Sequence, residues 1–346
     1  MPAGGRTATP AEAVIGPVFL TGATGFIGGA LVERLLLEGT EVRALVRNKN
    51  AADLVQKLGA APVMGDLLGE TDLAAAMSGC TLVFHAAGIN HFCMPDPKPL
   101  FEVNVGGTVR LIQAAARAGV PKLVYTSSAA TLGEAEGSIG SEYSIHRGWF
   151  LSAYERSKYL AERAAERTAS SLGVELICLN PSSVQGPGRA SGTARWLISY
   201  ANGRLRWFIQ TRASLVDIAD CTEAHVLAAA RGVSGRRYVI SSPARPIGEL
   251  IQIVGRVTGR SYPVHYLPSA PAVGVGSVIG SALGLIGQRP PVCREMLRTL
   301  AFGHAYEGSA AARDLGFSYT PLETSVKRAM QWYSEQGYLR PPLTVA

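Results

Sequence analysis

Residues 17–28 read PVFLTGATGFIG. The short apolar run from Pro17 to Thr21 predicts a strand. Thr21-Gly22-Ala23-Thr24-Gly25-Phe26-Ile27-Gly28 follows it and opens GGALVERLLLE (28–38), whose apolar spacing predicts a helix closed by Gly39. In a strand–turn–helix setting the three glycines have separate tasks. Gly22 permits the tight turn, Gly25 lets backbone approach a pyrophosphate, and Gly28 lets the helix pack closely on the strand. The uncapped N–H groups and partial positive charge at the helix start then suit phosphate. The spacing is GxxGxxG rather than GxGxxG, and the bland alternative is a purely structural turn.

Outward from this turn, short apolar runs alternate with helix-period segments. Strands are expected at 41–46, 61–64, 81–86, 122–127 and 175–179, and helices at 51–58, 71–77, 104–118 and 153–170. That alternation predicts a parallel sheet covered on both faces. The fold class is α/β: a Rossmann-type doubly wound parallel sheet of about seven strands, with a smaller C-terminal substrate lobe. After about residue 181 the rhythm breaks, Pro and Gly become denser, and only 214–218 and 237–241 read as strands that return to the sheet. The expected division is a flexible extension at 1–15 and a dinucleotide-binding domain at 16–180 plus about 214–241. A substrate lobe takes 181–213 and 242–335, and a tail takes 336–346.

Composition narrows the classes. Of 346 residues, 47% are hydrophobic and 17% charged, enough for a large core and unlike a disordered chain. The net charge of +7 suits an anionic partner, but Lys and Arg are scattered, and nucleic acid is not expected. The five cysteines (Cys80, Cys93, Cys178, Cys221, Cys293) lie far apart with no CxxC, which predicts free thiols in a reducing compartment. The histidines do not cluster at ligand spacings, so no metal is expected. Residues 1–15 lack the basic start and apolar run of a secretory signal, and the cytoplasm is the default location. The uncharged stretch PAVGVGSVIGSALGLIG (271–287) is short of the about 20 residues that span a bilayer. It is expected to be a buried or lid helix over an apolar substrate, with peripheral membrane contact as the alternative.

Two further segments carry chemistry. At the end of the second strand, where an acid commonly binds a ribose 2′-hydroxyl, stands Arg47, with Arg43, Asn48 and Lys49 nearby. Arginine pairs with a 2′-phosphate where an acid repels it, so NADP is preferred over NAD. Tyr154-Glu155-Arg156-Ser157-Lys158 places Tyr154 and Lys158 one helical turn apart on one face. An ammonium there favours the phenolate and makes tyrosine a usable acid/base. Thr126-Ser127-Ser128 ends a strand upstream and supplies a hydroxyl for a substrate oxygen.

Taken together, the sequence resembles the extended short-chain dehydrogenase/reductase family, also called the NAD-dependent epimerase/dehydratase family. The motifs are TGATGFIG (21–28), GDL (65–67), FHAAG (84–88), NVGGT (104–108), YTSSAATLG (125–133), YERSK (154–158), LNPSSVQGPG (179–188) and LVDIADCTEAH (215–225). The likeness runs from about Val18 to Ala229, with a weaker tail to Tyr333. VRALVR and YTSSAATLG look most similar to dihydroflavonol-reductase-like and 3β-hydroxysteroid-dehydrogenase-like members, with hopanoid-associated sugar epimerases also close. The resemblance implies Ser128, Tyr154 and Lys158 as catalytic. It implies cofactor contacts from Gly22, Thr24, Gly25, Phe26, Ile27 and Gly28; from Arg47, Asp66 and Leu67; from Ala86, Ala87, Gly88 and Asn104; and from Ser127, Tyr154, Lys158, Pro181 and Val184. His85, Asp217 and Asp220 read as structural.

The implied activity is an NAD(P)-dependent interconversion of a secondary alcohol and a ketone on an apolar, lipid-, steroid- or flavonoid-like small molecule. An arginine seven residues before Asp220 would favour a nucleotide-sugar, but Ala213 stands there and Arg212 is one place off. The rival readings are a sugar epimerase/dehydratase that retains its cofactor and a non-catalytic cofactor sensor. A homodimer is expected through the helices after Asn104 and around Tyr154, where Ala114, Ala115, Ala116 and Ala118 suit either a partner or the sheet. His91, Phe92, His146 and Trp149 are the candidate substrate-loop residues.

Overall fold

The computed structural model describes residues 16–269, Gly274 and 293–343. The N-terminal extension and, apart from Gly274, the apolar stretch 271–287 lie outside the described residues.

Seven parallel strands form the central sheet: β1 (Val18–Thr21), β2 (Val42–Val46), β3 (Ala61–Met64), β4 (Leu82–His85), β5 (Lys122–Thr126), β6 (Glu175–Pro181) and β11 (Arg237–Ile240). Their order is β11-β6-β5-β4-β1-β2-β3. The chain builds outward from β1 to β3, then crosses back to place β4 on the other flank of β1. That reversal leaves a crevice beyond the carboxyl ends of β1 and β4, where open α/β sheets bind ligands.

Strand alternation feeds two apolar layers. Val18 and Leu20 join one cluster with Leu31, Val32 and Leu35 of α1 (Phe26–Leu37) and with Ala224 and Ala228 of α8 (Ile218–Arg231). Phe19, Val83 and Tyr125 face the opposite layer, with Leu111 and Ile112 of α5 (Thr108–Arg117) and Ala161 and Ala165 of α6 (Ala153–Leu172). Truncating such a fully buried leucine to alanine costs about 2–5 kcal/mol. Ala114 and Ala115 are fully buried in this second layer. Of the two packings open to them, they take the sheet, and a dimer face has to use the outer side of these helices.

The shorter helices are α2 (Lys49–Leu58), α3 (Leu73–Ala76) and α4 (Lys98–Phe101). Beyond β6 lie a third core and three two-stranded pairs. β7 (Ser183–Gln185) pairs with β10 (Leu215–Asp217), β8 (Trp207–Ile209) with β13 (His265–Leu267), and β9 (Arg212–Ala213) with β12 (Arg245–Pro246). Thus only the later of the two expected returning strands joins the main sheet; the 214–218 segment pairs with β7. The third core joins α7 (Ala194–Ala201), α9 (Ile247–Thr258) and the helix Leu322–Glu335 through Leu197, Leu250, Val254 and Met330.

This region is more helical than its sequence suggests. In α8 ten of fourteen residues are buried, and Ala219, Glu223 and Ala230 leave only one narrow face outside the core. A helix so nearly enclosed has little polar stripe to reveal its period.

Candidate functional site

The crevice begins at the glycine turn. Gly22 has φ +79°, and a Cβ there would lie 2.6 Å from the Ala86 and Ala87 backbone. A Cβ on Gly28 would lie 2.1 Å from the Gly22 carbonyl oxygen. Only glycine fits either place. Gly25 is the N-cap of α1 and no side chain caps the helix, so its first N–H groups face the crevice. Thr24 and Gly25 are exposed, and Phe26 and Ile27 are half-buried in the first turn. This is a backbone cradle for a pyrophosphate, closed to any side chain that would fill it.

Along the same edge, Ala86 N–H donates to the Thr21 carbonyl at 3.1 Å and Ala87 N–H to Thr21 Oγ1 at 3.3 Å. A Cβ on Gly88 would lie 3.1 Å from Asn104 Oδ1 and 3.9 Å from Lys158 Nζ, so these three residues meet. Asn104 sits in a π-helical turn, Glu102–Gly107, ahead of α5. Its amide accepts from Ile89 N–H at 2.7 Å and donates to the Ile89 carbonyl at 3.1 Å and to Ser157 Oγ at 2.9 Å. It thereby ties the loop after β4 to the catalytic helix. Asp66 accepts from Leu68 N–H at 2.8 Å in the turn after β3, and Leu67 is buried under Gly107.

Arg47 stands exposed at the end of β2, with no partner among the described residues. Its expected helpers are committed elsewhere. Arg43 binds Glu41 at 3.1 Å and the Ser78 carbonyl at 2.7 Å, and Asn48 caps α2 by accepting from Ala51 N–H at 2.9 Å.

α6 carries the reacting groups. Ser152 caps it by accepting from Glu155 N–H at 3.1 Å, and Gly173 closes it in the left-handed conformation. Lys158 is buried one turn after Tyr154; its Nζ donates to Tyr125 Oη at 3.0 Å and to the Thr126 carbonyl at 2.9 Å. Burial lowers its pKa to about 8, against the pull of Glu162. The Ser128 hydroxyl stands close enough to the Tyr154 phenol to act on it. Burial pushes the Tyr154 phenol above its ordinary range, while Ser128 and the Arg189 cation pull it down. Burial outweighs the charges nearby, and Arg189, whose sequence position did not announce it, is a cation that acts on the phenol. Pro181, at the end of β6, and Val184, in β7, are buried.

A model of the NAD dependent epimerase/dehydratase family matches residues 18–241, well over half of the chain. The chain belongs to this family. It is 30% identical over 330 residues to a Synechocystis protein provisionally named as a dihydroflavonol 4-reductase, covering 93% of this chain and 96% of the relative. It is 29% identical over 338 residues to a 2-alkyl-3-oxoalkanoate reductase of Shewanella oneidensis, covering 91% and 86%. The crystal structure of gox2253 superposes with a TM-score of 0.81 at 30% identity, covering 93% of this chain and 99% of that one.

Around this family centre, several residues take parts that their sequence positions did not announce. Ser127 turns its hydroxyl away from the crevice to Glu162, a fully buried carboxylate on α6. The Ser127 backbone N–H is engaged as well, donating to the Leu179 carbonyl at 2.7 Å. Glu162 also accepts from Thr131 Oγ1 at 3.0 Å and Asn180 Nδ2 at 2.6 Å, and it pairs with Arg237. Asn180 in turn donates to the Ser128 carbonyl at 3.2 Å, so this network fixes the serine loop from behind.

His85 bridges Thr21 Oγ1 at 2.7 Å and Thr108 Oγ1 at 2.9 Å, and burial lowers its pKa to about 3. It is a neutral strut. Asp217 caps α8 at Ala219 N–H (2.8 Å) and pairs with Arg328; Asp220 accepts from Thr320 N–H at 2.6 Å and Oγ1 at 2.7 Å. Both carboxylates are structural in this geometry.

The substrate-side rim corrects the cysteine expectation. Cys93 and Cys293 form a disulfide with Cα atoms 5.8 Å apart, across 200 residues of sequence; Cys80, Cys178 and Cys221 are free and buried. The bridge joins the loop after β4 to the helix Arg294–Phe302. From that helix Glu295 accepts from Cys93 N–H at 3.3 Å and from Ala153 N–H, at the start of α6, at 2.8 Å. Phe92 lies 5.4 Å, ring to ring, from Tyr154. Of the other loop candidates, His146 packs between Phe150 and Tyr159, and Trp149 packs on Phe302 and Arg147. His91 is exposed.

Among the described residues no group of three His, Cys, Asp or Glu side chains is placed to hold a metal, and no helix is long and apolar enough to cross a membrane.

Proposed function

We propose that the protein is an NADP-preferring dehydrogenase/reductase that interconverts a secondary alcohol and a ketone at Tyr154. The observation that carries this reading is Lys158, anchored to Tyr125 and Thr126 one turn from Tyr154 with Gly88 and Asn104 beside it, together with the Ser128 hydroxyl that acts on the phenol. The reductase names of the curated relatives support the direction of the chemistry.

The residues present fit a dinucleotide. The glycine cradle, the uncapped start of α1 and the turn after β3 accommodate pyrophosphate and adenosine, and the free Arg47 suits a 2′-phosphate. When bound, the nicotinamide supplies or takes the hydride. Every other task falls to side chains. Ser128 holds the substrate oxygen by donating its hydroxyl hydrogen. Tyr154 delivers a proton to that oxygen during reduction and receives it during oxidation. Lys158, protonated below pH about 8, holds the phenol's surroundings positive and positions the ribose. Phe92 walls the crevice against water beside the phenol.

In this reading residues 181–213 and 242–335 supply the substrate side, the substrate has an apolar body, and the enzyme works in the cytoplasm as a homodimer. The deciding experiment is a calorimetric titration with NADPH and NADH, after assay for carried-over nucleotide. Exchangeable binding that favours NADPH supports the reading. Tightly held NAD(H) that resists exchange sinks it and favours an epimerase that keeps its cofactor.

A further inference from the structure

Arg189 is a cation that acts on the Tyr154 phenol, and among the described residues no acid pairs with it. It follows Gly186-Pro187-Gly188 after β7 and lies over the ring of Phe26, 5.5 Å from its centroid, at the mouth of the cradle. Of its five donors, only Nε makes a hydrogen bond among the described residues, to the Ser191 carbonyl at 3.3 Å. No carboxylate among the described residues pairs with it, and burial pulls its pKa down. A half-buried guanidinium without an anion is a costly arrangement, because desolvation is not offset by a partner.

The loop keeps its place open. Gly192 has φ +63°, and a Cβ there would lie 2.3 Å from Arg189 Nη2. A second orphan stands within electrostatic reach. The Tyr333 hydroxyl, on the helix Leu322–Glu335, is fully buried and has no hydrogen-bond partner among the described residues. Its pKa is pushed up to about 12 by burial, so it is a neutral donor at every relevant pH. A buried hydroxyl left unpaired is uncommon and expensive.

We propose that Arg189 and Tyr333 form an anion subsite that takes a carboxylate or phosphate group of the substrate while Tyr154 handles the reacting oxygen. The inference rests on the oxidoreductase reading and narrows its substrate class: an apolar body that carries an anionic group near the alcohol or ketone. Two sources of such an anion exist, the substrate and the cofactor's pyrophosphate. The substrate is favoured because the start of α1 already offers free N–H groups to a pyrophosphate, whereas Tyr333 comes from the C-terminal region. The subsite also explains a second property. An anion on Arg189 neutralises the charge that pulls the Tyr154 phenol down, so ligand binding and phenol acidity are coupled.

The test uses the full chain saturated with NADP and two probes of one shape, 4-phenylbutanoate and its methyl ester, titrated by calorimetry. The acid is expected to bind about 10- to 100-fold more tightly than the ester, as a charge-assisted pair allows. Arg189→Gln should erase that preference, Arg189→Lys should keep part of it, and Tyr333→Phe should reduce it, with NADPH affinity unchanged in all three. Equal binding of acid and ester, or a preference that survives in Arg189→Gln, overturns the proposal. So does a loss of NADPH affinity in Arg189→Gln, which assigns the guanidinium to the pyrophosphate. Failure of the oxidoreductase reading looks different: no nicotinamide nucleotide binds at all, or Tyr154→Phe keeps full turnover. A variant that misfolds is recognised by its lost thermal transition, and the Lys and Phe variants then carry the test.

Discussion

The two walls of the crevice are built on opposite principles. The cofactor wall is backbone: Gly22, Gly25 and Gly28, the first N–H groups of α1, and the chain from Ala86 to Gly88. The proposed substrate wall is side chains from distant parts of the sequence: Phe92, Arg189, Glu295, Tyr333 and the Cys93–Cys293 bridge. A backbone wall can be broken only by adding atoms. A side-chain wall can be retuned one residue at a time, which is how one fold accommodates many substrates.

The largest effect is expected where the walls meet. Tyr154→Phe should lower turnover by about 10²–10⁴-fold while NADPH binding persists, because the hydroxyl that moves the proton is gone and the cradle is untouched. Steady-state kinetics beside a nucleotide titration checks this, and unchanged turnover would remove Tyr154 from the chemistry.

On the cofactor wall, Gly28→Val puts carbon where the Gly22 carbonyl lies, 2.1 Å from the nearest position of a Cβ. Loss of nucleotide binding together with a thermal midpoint lowered by several degrees is the expected result. Retention of wild-type affinity would mean that the cradle is not the binding site. A gentler change at the same wall is Arg47→Ala. It should lower the preference for NADPH over NADH by about 10-fold or more and leave NADH binding as it was, since a charge-assisted pair to phosphate is worth about 1.5–3 kcal/mol. An unchanged ratio would free Arg47 of that role.

A pH experiment addresses the buried struts behind both walls. His85 and His225 have pKa values lowered by burial to about 3 and about 4, against 6.5 in the unfolded chain. Between those values and 6.5 the unfolded chain binds more protons than the folded one, so stability rises with pH through that window. The midpoint of thermal unfolding should therefore fall as pH drops from 6.5 toward 4, and less steeply in His225→Gln. A flat profile would contradict neutral, buried imidazoles.

The smallest effect is expected on the substrate rim. Cys93→Ser should leave nucleotide affinity intact and change mainly the fit of substrate beside Phe92, read as a KM change that exceeds any kcat change. Two additional thiols titrated in the reduced wild type, and none in the oxidised one beyond the buried three, would verify the bridge itself.

Much of the cofactor wall is readable along the chain because its interactions are local. A strand, a glycine turn and a helix start are contiguous in Val18–Gly28, and Tyr154 and Lys158 share one helix. The central strands read well for a related reason: those buried on both faces form short apolar runs. The substrate side resisted the same reading. α8 is nearly enclosed and shows only a narrow polar face; 214–218 has strand character but nothing local that says it pairs with β7 rather than the main sheet.

The sequence by itself determined the α/β class, the succession of the first six central strands along the chain, the glycine turn and the one-turn spacing of Tyr154 and Lys158, because periodicity, turn chemistry and one-turn helical spacing act between near neighbours. Only the tertiary structure decided that Ser127 turns to Glu162, that Arg189 comes within reach of the Tyr154 phenol, and that Cys93 meets Cys293. Each of those depends on burial and on the approach of segments dozens to hundreds of residues apart. Desolvation and contact are properties of the packed molecule, and no local pattern of residues encodes them.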